Sequence, residues 1–184
     1  MQHKCWLIKW NPRDKANKNL EQDFSKFFSV DPPVPFPARI KKNRYSGLQK
    51  LTVGLFDEIC ADDVVFCYQS RKGTLRGLCR VEGKEEHPDA EGHRWVFLFP
   101  VLSFQPTIGV LRLKKENDHL KTAPWLQPGL PRTLYDLSRA DVCVLKDICL
   151  RGQLPEFAAK LNKLLSCCLA SAACRVEPTA TRLQ

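Results

Sequence analysis

The chain has 184 residues, 43% of them hydrophobic, which is enough for one domain with an ordinary core, or for one domain with an appendage. No apolar run reaches the roughly 18 residues a membrane helix needs, and the opening MQHKCWLIKW is too short and too charged for a secretory leader. The expectation is therefore a cytoplasmic, reduced protein that does not span a membrane. Net charge is +9, and it is uneven: residues 1–50 hold eleven Lys or Arg against four Asp or Glu, a local excess of +7. Such a surface points to a polyanionic partner, nucleic acid first.

In chain order, WLIKWNP opens with a strand over Cys5 to Lys9, stopped by Pro12 and Asp14. Leu20, Phe24, Phe27 and Phe28 recur at helical spacing within 16–28. DPPVPFP, residues 31–37, reads as a rigid extended loop. IKKNRYSG, residues 40–47, is a basic segment with one aromatic, followed by a short amphipathic helix marked by Leu48, Leu51, Leu55 and Ile59. ADDVVFCYQS feeds an acidic turn into a β-branched and aromatic strand. RKG turns the chain, and TLRGLCRV alternates as its hairpin partner, with Gly77 marking a bulge or a close backbone approach. Residues 83–93 are polar. RWVFLFPVLSF, 94–104, is a buried strand pair or one long strand bent at Pro100, and residues 110–113 read as a further short strand. Residues 114–131 form a loop holding one helical turn, and a final strand is predicted over Asp141 to Lys146. An apolar stripe from Leu154 to Ala172 at 3.6-residue period predicts a helix over 155–174, either packed on the domain or serving a homodimer contact. The sum is an α+β domain on a curved mixed sheet or small barrel, with a C-terminal amphipathic helix.

Catalytic and metal motifs are scarce. No GxSxG, P-loop, HExxH or dinucleotide fingerprint occurs. The nine cysteines are odd in number and irregularly spaced, with no CxxC pair, so they read as reduced apolar side chains rather than as zinc ligands. His87 and His93, with Asp89 and Glu91 between them, imitate a metal loop without a third ligand in a defined motif. No cofactor is expected.

Taken together and in order, these segments resemble the EVE domain and the related YTH domain of the PUA-like group. WLIKWNP resembles the EVE opening of a strand followed by Lys-Ser-Glu-Pro. ADDVVFCYQS resembles Gly-Asp-x-Val-Phe-Phe-Tyr-His-Ser, and TLRGLCRV the strand that follows it. TLYDLSRADVCVLKDI resembles the closing segment, and HLKTAPWL and RYSGL resemble YTH stretches. The likeness spans about residues 4–148. Trp10 replaces a usual small residue, Tyr45 stands where YTH has a cage tryptophan, and Asp62 stands where a glycine is common.

The resemblance implies a PUA-like fold and a pocket for a single modified, often methylated, base. Such a base must be flipped out or supplied single-stranded, and aromatic walls return about 1–3 kcal/mol per stacked base. On this reading Trp10, Asn11, Tyr45, Ser46, Ser70 and Trp95 contact the base, while Lys9, Lys41, Lys42, Arg44 and Arg71 meet phosphates. The bland alternatives are a core-edge Trp10, an Asn11 turn cap, a surface Tyr45, and turn serines at 46 and 70. Trp6 and Trp125 read as core. The expected function is a non-catalytic reader of modified DNA, with an RNA-binding module or a small nucleoside hydrolase as alternatives. With no nuclease core in the chain, a nuclease or AAA+ partner chain would do any cutting.

Overall fold

The computed structural model describes residues 3–10, 24–29, 32–40, 54–70, 72–85, 87–90, 92–110, 114, 117–127, 134–151 and 153–170, without the side chains of residues 25, 26, 39, 167 and 170. Its frame is one six-stranded sheet: β1 (Cys5–Trp10), β2 (Phe36–Ile40), β3 (Val64–Gln69), β4 (Thr74–Lys84), β5 (Arg94–Gly109) and β6 (Leu134–Asp136). The spatial order is β2-β5-β4-β3-β1-β6. β1 and β3 run parallel, and every other pairing is antiparallel. Trp10 on β1 touches Phe36 on β2, at 5.6 Å between ring centroids, although three strands separate them in the sheet. Only a strongly curled sheet, a half-barrel, permits that contact.

Two cores follow from the pleat, which sends alternate residues to opposite faces. Trp6, Ile8 and Trp10 join Val65, Cys67, Cys79, Val96 and Leu98 inside the curl. Phe24 and Phe27 of the one-turn helix α1 (Phe24–Phe27) close that interior. Cys5 and Leu7 face the other way, beneath α2 (Asp118–Thr122), α3 (Arg139–Leu150) and α4 (Pro155–Ala170). Leu161 and Leu165 of α4 are fully buried there, and Phe157 meets Phe104 edge-on at 5.7 Å. The terminal helix is thus part of the domain core.

Several sequence expectations change. The segment predicted as a strand over Asp141 to Lys146 is helix α3. Ser138 and Asp141 form a reciprocal capping box, and Val142, Leu145, Ile148 and Cys149 make one buried face. Strand β6 lies just upstream, at Leu134–Asp136, where the sequence reading assigns no element. The proline-rich loop ends in strand β2, which among the described residues is an edge strand paired only with β5 and so tolerates Pro37. Residues 94–104 belong to one long strand with irregular register against β4, and Val110 is helical rather than extended. The β3–β4 hairpin and a bulge near Gly77 are as expected. A Cβ on Gly77 would sit 2.4 Å from the Leu102 carbonyl oxygen and 2.4 Å from the Phe28 ring, so only glycine fits. Residues 54–58 are helical, in keeping with the expected short helix there.

Candidate nucleic-acid interface

The parallel strands β1 and β3 end side by side, and their ends are tied to one carbonyl. Ser70 donates to the Trp10 oxygen twice, from its backbone N–H and from its Oγ, both at 2.9 Å. Gln69, fully buried at the end of an otherwise apolar strand, adds Nε2 to the same oxygen at 3.3 Å. Its Oε1 accepts from the Phe24 N–H at 3.2 Å. Gln69 therefore fixes α1 against the end of β1, a role that sequence reasoning missed. The signal was a polar amide closing the run VVFCY.

Trp10 is not an open wall. Its ring is 1% exposed and lies flat on Phe24, with centroids 4.1 Å apart and planes 12° from parallel. The expectation that Trp10 stacks on a base is corrected: a side chain of the protein already occupies that position. The buried Trp10 Nε1 has no hydrogen-bond partner among the described residues. Ser70 spends its hydroxyl on the Trp10 carbonyl, so its described role is structural.

Lys9 alternates onto the helix-covered face. It is half-buried, and its Nζ makes one long hydrogen bond, 3.4 Å, to the Trp125 carbonyl. Burial pushes its pKa below the usual lysine value, and no carboxylate among the described residues pairs with it. Trp125 is buried as expected and sits edge-on to Tyr68 at 5.9 Å, and its Nε1 donates to Asp141 Oδ1 at 3.4 Å. The same oxygen lies 2.9 Å from His119 Nε2. Burial pulls the Asp141 carboxyl up, but hydrogen bonds from Ser138, His119 and Trp125 outweigh it and hold the pKa low.

Trp95 stands apart. It pairs with Arg39 near the start of β5, whereas Trp10 pairs with Gln69 at the end of β3. Its Nε1 donates to Asp89 Oδ2 at 3.2 Å, and Asp89 Oδ1 accepts from the His93 N–H, so the polar turn is organised by Asp89. The structure brings together Trp10 and Ser70, puts Lys9 on the opposite face, and places Trp95 elsewhere. Asn11, Lys41, Lys42, Arg44, Tyr45, Ser46 and Arg71 lie outside the described residues.

At the other end of β1, Asp63 is a buried carboxylate that sequence reasoning passed over. Its oxygens accept from the Lys4 N–H at 2.8 Å, Trp6 Nε1 at 2.7 Å and the Cys60 N–H at 2.9 Å. Two aspartates in tandem before an apolar strand were the available sign.

A curled mixed half-barrel with helices on its outer face defines the class of this protein as an α+β single-sheet domain. No family model and no curated protein matches the chain. Solved structures do. A protein from Agrobacterium tumefaciens aligns with a TM-score of 0.55 at 14% identity, covering 82% of this chain and 94% of its own. One from Pseudomonas syringae aligns at 0.55 and 17%, covering 79% and 99%. A hypothetical protein from Leishmania major aligns at 0.52 and 12%, covering 80% and 94%. At these identities the likeness shows the fold alone.

Proposed function

We propose that this chain is a non-catalytic nucleic-acid-binding module of the PUA-like kind, similar to EVE and YTH domains, that takes up a flipped-out or single-stranded modified base. DNA is favoured over RNA, and a nuclease or AAA+ chain is the proposed working partner. The observation that carries the reading is Lys9: a half-buried ammonium at the end of β1 with a single long hydrogen bond and no carboxylate partner among the described residues. A desolvated cation of this kind gains from a phosphate oxygen, which restores the charge-assisted hydrogen bonds that burial removed. The +7 excess over residues 1–50 supplies the longer-range attraction. Base reading is assigned to Asn11, Tyr45 and Ser46, and Trp10, buried against Phe24, serves as packing.

The test is a binding panel at fixed salt. Oligonucleotides carrying unmodified bases, 5-methylcytosine, 5-hydroxymethylcytosine or N6-methyladenine are titrated as DNA and as RNA. Tyr45→Ala is expected to weaken modified targets by about 1–3 kcal/mol and to leave unmodified ones little changed. Equal binding of every modified and unmodified target would remove the base-reading part of the proposal. Tighter binding of the RNA series would move it to RNA.

A further inference from the structure

On the helix-covered side, at the start of β3 rather than its end, a cavity of about 450 Å³ opens between the sheet and α4. That volume lies in the range of small-ligand sites. Val64, Val101 and Leu164 make its apolar floor, and Arg80, Lys160, Lys163 and His3 stand around it with one acid, Asp62. The charges follow from the elements. Val64 and Arg80 are register partners of β3 and β4, so their side chains share a face. Lys160, Lys163 and Leu164 fall three and four apart on one stripe of α4.

Two features separate this cavity from an ordinary solvated charge cluster. First, Lys160 and Lys163 have no carboxylate partner among the described residues, and the one acid, Asp62, is already engaged with Arg80 at 3.7 Å. The rim therefore keeps a net positive charge that nothing described neutralises. Second, Asp62 is held at φ 68, the left-handed region that a side chain rarely adopts, by its N–H donating to the Val81 carbonyl at 2.8 Å. This turn places its carboxylate beside Arg80 and presents the guanidinium at the cavity wall, while leaving one hydrogen-bond acceptor at the mouth.

An apolar floor, three strong cations and one acceptor make a poor site for a simple anion and a good one for a phosphate ester with a flat or apolar body. We propose that this cavity binds a nucleoside monophosphate, with Lys160, Lys163 and Arg80 on the phosphate and Val64, Val101 and Leu164 beneath the nucleoside. A phosphodiester of a nucleic-acid backbone offers the same chemistry, and the experiment separates the two. The site does not depend on the base-reading proposal. Lys9 pairs with Tyr68 near the end of β3, about 13 Å along that strand from Val64.

Isothermal titration of the whole chain with AMP, CMP, adenosine, inorganic phosphate and a ten-residue oligothymidylate tests it. Saturable binding of a mononucleotide, tighter than of adenosine or phosphate alone, is expected. The double variant Lys160→Glu with Lys163→Glu, both exposed positions, should weaken the mononucleotide at least about tenfold, or about 1.4 kcal/mol. Leu164→Trp should block it by filling the floor, whereas Lys121→Met, an exposed position on α2 away from the cavity, should leave it intact. Far-ultraviolet circular dichroism confirms that each variant is folded. Failure of every mononucleotide to saturate overturns the proposal, as does binding indifferent to the double lysine change. Binding of the oligonucleotide alone overturns it in favour of a backbone contact.

Discussion

The indole of Trp10 and the ring of Phe24 lie stacked at 4.1 Å, 12° from parallel, both sealed from solvent. The contact joins the end of β1 to α1, and Gln69 reinforces it through the Phe24 N–H. Stacked aromatic pairs add roughly 0.5–1.5 kcal/mol beyond their buried area. Phe24→Ala should therefore cost about 3–5 kcal/mol in a denaturant melt. Trp10→Phe should cost less, and it should lower modified and unmodified oligonucleotide affinities alike. A selective loss for modified targets would show that Trp10 reads the base after all and that Phe24 moves aside.

Asp63 gives a second test. Three N–H donors meet its two oxygens in a site that is 1% exposed, and they come from Lys4, Trp6 and Cys60. Replacement by alanine leaves all three donors without their acceptor. Leaving a buried donor unmet costs about 1–3 kcal/mol; the Trp6 bond is fully buried and the Lys4 and Cys60 bonds partly so, and Asp63→Ala should lower stability by about 2 kcal/mol or more. Asp63→Asn keeps one acceptor oxygen and should lose less. Equal losses for the two variants would mean that shape, rather than hydrogen bonding, decides the site.

Gly77 is tested by adding one methyl group. Its Cβ would meet a backbone oxygen, Leu102, which cannot rotate away, and the ring of Phe28, which could. Overpacking of this kind costs about 1–3 kcal/mol. Gly77→Ala should lie in or above that range, and the pairing of Gly77→Ala with Phe28→Ala should recover only part of the loss. Full recovery in the double variant would show that β4 and β5 can separate locally at the bulge.

What could be read in advance divides along physical lines. The β3–β4 hairpin was legible because its alternation is local and its turn is short. Helix α4 was legible because its stripe is long. Helix α3 was misread because Val142 and Val144, two apart, imitate a strand, while the Ser138–Asp141 capping box that starts the helix depends on side-chain geometry. β2 was hidden because Pro37 is tolerated only at a sheet edge, and edge position is a property of the whole sheet. The base-contact assignment for Trp10 failed for a related reason. An indole reads the same in a sequence whether its face meets a ligand or Phe24, and Phe24 arrives from fourteen positions later in the chain. Asp63 and Gln69 were legible only as polar residues flanking an apolar strand, since most of the groups that satisfy them, Lys4 and Trp6 for Asp63 and Phe24 and Trp10 for Gln69, come from distant segments.

Under the proposed phosphate contact, Lys9 sets function against stability, and that conflict makes the last prediction. Burial lowers its pKa, so the folded state holds its proton less tightly than the unfolded chain does. Just below the ordinary lysine value of 10.5, the unfolded chain binds more protons, and stability contributed by this group rises as pH climbs through that window. At neutral pH the charged form is a cost that burial imposes. Lys9→Met removes the charge and keeps the length of the side chain, so it should raise Tm at pH 7, and the gain should shrink towards pH 10.5. The same change should weaken every oligonucleotide, modified or not. It should also make the dependence of log affinity on log salt shallower by about 0.7 for a single strand or about 0.9 for a duplex, the loss of one phosphate contact. A variant that is more stable yet binds with an unchanged salt slope would show that the Lys9 ammonium serves the Trp125 carbonyl alone and that no phosphate reaches it.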